Sequence, residues 1–154
     1  MERPTGFDIV QRPKHYNAHP SGVECIEVVE RMTFNLGNCC KYLWRGGLKV
    51  SDATQDYEKA LWYAIRSYEN DQAWLFGGQA AMEFNRFMLE DGRASRILAR
   101  PSPWCEPIRK AVSYTFDLHG GRVVGERIQI YDRLQACIRT AIADERCLGR
   151  GMEP

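Results

Sequence analysis

Residues 34–45 read Phe-Asn-Leu-Gly-Asn-Cys-Cys-Lys-Tyr-Leu-Trp-Arg, and wound as an α-helix they separate into two unlike sides. At about 100° per residue, Leu36, Cys39, Cys40 and Leu43 fall on an apolar side, while Asn38, Lys41, Tyr42 and Arg45 share the other. A helix of this kind must bury the first side. The second side, cationic and aromatic, suits a phosphate group and a flat base, and it equally suits plain solvent.

A second amphipathic pattern follows. Tyr57, Ala60, Leu61, Ala64, Ile65 and Tyr68 recur three and four apart, with Asp56, Lys59, Tyr63 and Arg66 opposite. Thr33 is a candidate cap for the helix that runs to Arg45, and Gly46-Gly47 reads as its stop. Gly37 inside that helix costs about 1 kcal/mol relative to Ala, which points to close packing or close ligand approach. Ser51 or Asp52 can cap the next helix. Upstream, Val23, Ile26, Val28 and Val29 alternate with Glu24, Glu27 and Glu30 in a short helix ending near Met32. Downstream, helical character continues less clearly from Trp74 to Leu89, with Gly77-Gly78 as a break. After Pro101, Pro103 and Pro107, Ile108 to Leu118 reads as helix and His119-Gly120-Gly121 as a turn. Gly125 to Arg146 reads as a last long helix with Ile128, Tyr131, Leu134, Ile138 and Ile142 inward. Arg122-Val123-Val124 is too brief for a strand. The expected architecture is all-α: a compact helical bundle with an irregular N-terminal arm over residues 1–22, a helical core over 23–70, and a helical extension over 71–154 packed on that core.

A chain of 154 residues fits one domain and can bury a core without staples. With 44% hydrophobic and 27% charged residues it has the balance of a globular protein rather than of a disordered tail. The formal charge of +1 argues against a dedicated nucleic-acid site, because binding by counterion release needs a clustered cationic excess. A small anionic ligand held by a few local cations stays compatible with it. The cysteines at 25, 39, 40, 105, 137 and 147 match neither paired zinc spacing nor a dense disulfide framework, and Cys39 and Cys40 read as reduced core thiols. The N-terminus lacks the apolar core of a signal peptide and no run is long enough to span a bilayer, so a cytoplasmic protein with no membrane partner is expected.

His15-Tyr16, Glu24-Cys25-Ile26-Glu27, Gly37-Asn38, Lys41-Tyr42, Arg45, Lys49, Asp56, Lys59-Ala60 and Trp62-Tyr63 together resemble a bacteriophage family catalogued as a domain of unknown function. That family includes a deoxynucleoside monophosphate kinase without a Walker loop. The resemblance covers about residues 13–70 and implies a nucleotide ligand, a host-cytoplasmic location, and phosphoryl transfer from a nucleoside triphosphate to a deoxynucleoside monophosphate. Its motif positions place His15, Tyr16, Asn38, Lys41, Tyr42, Arg45, Lys49, Lys59 and Tyr63 at the nucleotide, with Lys41, Arg45 and Glu24 in catalytic roles. The residues themselves agree that no ordinary P-loop is present: in Gly46-Gly47-Leu48-Lys49-Val50-Ser51, Leu48 separates glycine from lysine, which breaks the G-x-x-x-x-G-K-[ST] pattern. Phosphoryl transfer would rest on side-chain cations, through positioning and charge stabilisation.

Residue by residue, each role has a plain counterpart. Arg45 near a helix C-terminus is favoured by the helix dipole alone. Lys59 can pair with Asp56 on the helix surface. Asn38 can make a helix-to-helix hydrogen bond, Tyr42 and Tyr63 can belong to the core, and Trp44 and Trp62 fall toward the apolar sides. His15 and His19 have the spacing of a helical metal pair, but prolines bracket them and no third ligand is evident; His19 reads as solvated. Glu24, Glu27 and Asp56 form a rival constellation that could hold Mg²⁺ for nucleotide hydrolysis, as in all-α pyrophosphohydrolases, although Asp52-x-x-x-Asp56 departs from the second motif of those enzymes. A third reading is a non-catalytic binder that sequesters a nucleotide or a nucleotide-derived defence signal. Finally, Trp74, Phe76, Phe84, Phe87 and Met88 exceed what a short bundle need bury, so a homo-oligomer is expected.

Overall fold

The computed structural model describes residues 19–70, 78–121 and 124–150, and among them there are helices and turns but no strand. In chain order they are α1 (Cys25–Val29), α2 (Phe34–Gly47), α3 (Thr54–Asn70), α4 (Gln79–Leu89), a 3₁₀ turn (Glu90–Gly92), α5 (Arg93–Ile97), α6 (Glu106–His119) and α7 (Val124–Arg150). The all-α expectation holds. None of the described helices is long and apolar enough to cross a membrane.

Four helices close on one another: α2 packs on α3, α3 on α7, α7 on α6 and α6 on α2. Their apolar stripes meet in one cluster. Leu36, Cys39, Cys40 and Leu43 come from α2, Tyr57, Ala60 and Ala64 from α3, Ile108, Ala111 and Val112 from α6, and Tyr131, Leu134 and Ile138 from α7. The side of α2 expected to be apolar is fully buried, and Asn38, Lys41, Tyr42 and Arg45 opposite are half-buried. Polar contacts fix the antiparallel pairing of α3 and α7: Ser67 Oγ lies 2.7 Å from the Tyr131 hydroxyl at one end, and the Glu145 carboxylate accepts the Ala53 N–H at 3.3 Å at the other. A carboxylate there also meets the positive end of the α3 dipole.

Several boundaries differ from the sequence reading. Helix α1 stops at Val29, and turns carry the chain to Met32. The glycine pair does not stop α2, which runs through Gly47 with Leu48 as its C-cap. Both glycines are there for proximity. A Cβ at Gly46 would sit 2.8 Å from Tyr57 Cε1, and one at Gly47 would sit 2.3 Å from Trp104 Cδ1. The Gly37 position is likewise explained by packing, since a Cβ there would meet the Val29 carbonyl at 3.0 Å. On α7, Ile128 is exposed rather than inward. Arg127 and Ile130 take the inner positions because they share the three-and-four spacing of Tyr131, Leu134 and Ile138. Arg127 is only 1% exposed, and its guanidinium donates to the Leu118 carbonyl at the C-terminal end of α6.

Phe84 and Met88, expected to need a subunit interface, are buried within the chain: Phe84 packs edge-on against Phe116 and His119. Phe87 is covered by the guanidinium groups of Arg31 and Arg93. Trp74 and Phe76, also part of that expectation, lie outside the described residues. His19 is not solvated. It is 4% exposed, with its ring against Trp104 and Trp44 at centroid distances of 4.4 and 5.4 Å and its Nδ1 2.8 Å from Ser21 Oγ.

Two outcomes follow from this packing. Gly47→Ala gains helix propensity, yet it drives a methyl into Trp104, so it is expected to destabilise the fold by about 1–3 kcal/mol in urea melts. Burial lowers the pKa of both His19 and His119 from 6.5 to about 4, with the nearby Arg127 charge adding to the effect on His119. The unfolded chain therefore binds protons that the folded one refuses, and stability is full above about pH 6.5 and falls as pH drops toward 4. Melting temperature measured across that window is expected to fall, with a shallower slope in His19→Gln and His119→Gln.

Candidate functional site

The polar sides of α2 and α3 lie beside each other and form one continuous face. Its joint is Asp56, in the first turn of α3 and only 2% exposed. Lys49 Nζ comes within 2.6 Å of Asp56 Oδ2 and Arg45 Nε within 3.6 Å. Opposite charges in a buried setting hold the Lys49–Asp56 pair. The sequence reading offered Lys59 as the partner of Asp56. The structure instead turns Lys59 toward Tyr42 and gives Asp56 to Arg45 of α2 and to Lys49 just beyond it.

Toward the middle of the face, the Tyr42 and Tyr63 rings lie nearly parallel, 12° apart with centroids at 5.9 Å. The ammonium groups of Lys41 and Lys59 lie 4.5 and 5.4 Å from the Tyr42 centroid. Neither lysine makes an ion pair among the described residues. At the far end, Tyr63 meets Phe34 edge-on at 6.1 Å and Trp62 edge-on at 5.0 Å, and the Arg66 guanidinium lies 6.0 Å from the Trp62 ring. Trp62, expected in the core, is 58% exposed, whereas Trp44 is fully buried as expected. Trp62 is exposed because Ala60 and Ala64 define the buried stripe of α3 and residue 62 points away from both.

The remaining site residues have local partners. The Asn38 amide donates to the Phe34 carbonyl one turn back in its own helix, at 2.8 Å. Glu24 is the N-cap of α1: its N–H donates to the Glu27 carboxylate at 2.9 Å, and the Glu27 N–H donates to the Glu24 carbonyl at 3.0 Å. Lys41 lies close enough to Cys25 to oppose the rise that burial imposes on that thiol. Burial likewise raises Cys39, and it pushes Cys40 up to about 12, so these thiols stay protonated and unreactive. The rival Mg²⁺ constellation does not assemble. Glu24 and Glu27 are tied to the start of α1, Asp56 is answered by Lys49 and Arg45, and no group of three His, Cys, Asp or Glu able to hold a metal occurs among the described residues. His15 and Tyr16 lie outside the described residues.

Phe34 and Trp62 are additions to this face, whereas the spacing already places Arg66 on the polar side of α3 with Lys59 and Tyr63. The available signal was that Lys59, Trp62, Tyr63 and Arg66 sit three, four and seven apart on α3, which places all of them on its polar side.

A domain of the family described as a protein of unknown function, DUF3310, is found at residues 10–65. The matched segment contains α1, α2 and most of α3, and so nearly all of the face. No curated protein and no solved structure matches the chain.

Because the Asp56 carboxylate is buried, Asp56→Asn takes from Lys49 the carboxylate it pairs with at the joint. The expected cost is about 3 kcal/mol of unfolding free energy, read by denaturant melts. A Lys49→Met/Asp56→Leu double variant is expected to be less destabilised than the sum of its single changes.

Proposed function

We propose that the α2–α3 face binds a nucleotide and that the protein is a nucleotide kinase without a P-loop. The observation that carries this reading is the Tyr42–Tyr63 ring pair flanked by Lys41 and Lys59, two cations that make no ion pair among the described residues. Aromatic faces accept a base by stacking, and ammonium groups beside them attract phosphate. Arg45 and Lys49 extend the positive field along the same face, although Asp56 answers part of their charge. The resemblance of residues 13–70 to a family with a kinase member supplies the reaction. The terminal phosphoryl group of a triphosphate passes to the phosphate oxygen of a deoxynucleoside monophosphate, leaving two diphosphates.

The test incubates pure protein with each deoxynucleoside monophosphate and a nucleoside triphosphate, with Mg²⁺ present and in chelator, and separates the products. Diphosphates in equal amounts support the kinase. Pyrophosphate release would replace it with a hydrolase, and tight binding without turnover would replace it with a sequestering protein. In equilibrium binding, Lys41→Ala and Lys59→Ala are each expected to weaken nucleotide affinity by about tenfold or more, the equivalent of one charge-assisted hydrogen bond, with helical content and melting unchanged. Unchanged affinity in both would reduce these lysines to a solvated surface.

A further inference from the structure

Resting on the nucleotide reading above, we infer a direction for the ligand: the base stacks at the Phe34–Trp62 end of the face, and the phosphates lie between Lys41 and Lys59 and point toward Arg45. Phe34 and Trp62 are thereby assigned as base-binding residues.

The argument begins with the order of groups along the two helices. Helices α2 and α3 run antiparallel, since Gly46 packs on Asp56 and Tyr57 at one end while Phe34 meets Tyr63 at the other. Phe34 and Arg45 are separated along α2 by about 16 Å at 1.5 Å per residue. Between them lie Lys41 and Lys59 beside the Tyr42 ring. The face is thus graded, with large exposed rings at one end, lysines in the middle, and an ion cluster built on a buried carboxylate at the other end.

A base at the Arg45 end would meet the Asp56 cluster, where two cations are already engaged with a carboxylate and no exposed ring is present among the described residues. A base at the opposite end meets Phe34 and Trp62, which are 69% and 58% exposed and flank Tyr63. Rings this exposed lose apolar contact with water when a base covers them. Arg66 beside Trp62 adds a planar cation that can join the stack. Charge complementarity then settles the order of the remaining atoms. Phosphates attached to a base at this end fall between Lys41 and Lys59, the cations that form no ion pair among the described residues.

The test compares two probes on the same variants: a deoxynucleoside triphosphate and inorganic tripolyphosphate, which has the phosphates but no base. Trp62→Ala and Phe34→Ala are expected to weaken nucleotide binding by about tenfold, a normal loss for one stacked base, and to leave tripolyphosphate binding unchanged. Trp62→Phe keeps a ring and is expected to recover most of the nucleotide affinity. Lys41→Ala weakens both probes. Both ring positions are exposed, so circular dichroism and melting should match the unaltered chain. Nucleotide that binds the unaltered chain but is indifferent to both ring substitutions overturns the placement of the base while leaving the nucleotide reading intact. Equal loss of both probes in the ring variants also overturns it. So does a dimer of the unaltered chain that dissociates in Trp62→Ala, which would give these rings to a second copy. Failure of the unaltered chain to bind any nucleotide overturns this inference and the nucleotide reading together.

Discussion

Asp56 carries a negative charge at the joint between α2 and α3, and the neighbouring face depends on how that charge is answered. Removing a carboxylate from water costs several kcal/mol unless cations replace the lost hydration. Lys49 and Arg45 do this from the end of α2 and the loop beyond it. They can reach only because α2 ends close against α3, and that approach depends on Gly46, where any side chain would collide with Asp56 and Tyr57. The same contact sets the register of the two helices. It brings Lys59 under Tyr42 and Tyr63 alongside it, so the arrangement of the polar face is a consequence of the buried ion cluster.

On the proposed nucleotide reading, the face divides between support and recognition. Arg45, Lys49 and Asp56 hold the joint, and Glu24 and Glu27 cap the start of α1. Tyr42 and Tyr63 pack in part against the core, and Lys41 and Lys59 beside them make no ion pair among the described residues. The second half of the chain contributes α6 and α7, which complete the burial of the apolar sides of α2 and α3. Residues 10–65 alone would leave Leu36, Leu43, Ala60 and Ala64 without the helices that cover them, so α6 and α7 support the face from behind.

Much of this was legible in the sequence because helical periodicity reports burial directly. Leu36, Cys39, Cys40 and Leu43 on α2, and Tyr57, Ala60 and Ala64 on α3, are buried where their spacing placed them. What escaped depends on contacts between distant residues. Gly46-Gly47 has the composition of a helix stop, and only the positions of Tyr57 and Trp104 reveal it as a packing seam. His19 is polar in isolation, yet Trp44 and Trp104, far along the chain, pack against its ring. The partner of Asp56 could not be read from spacing either, because i,i+3 adjacency favours Lys59 while the fold brings Lys49 and Arg45 closer. Trp62 reads as falling toward the apolar side of its helix, yet it is exposed, because Ala60 and Ala64 define the buried stripe and residue 62 lies opposite both.

On the nucleotide reading, ligand recognition belongs to the α2–α3 face and not to the groove between α4 and α6, which is lined by Phe84, Met88, Leu98 and Phe116. A ¹H–¹⁵N correlation spectrum of the labelled chain, recorded during titration with a deoxynucleoside monophosphate and then a nucleoside triphosphate, tests this directly. Saturable shifts are expected at residues 34–49 and 56–66, with the amides of 84–98 and 113–120 unmoved. Shifts confined to the α4–α6 groove, or no shifts at millimolar nucleotide, would contradict it.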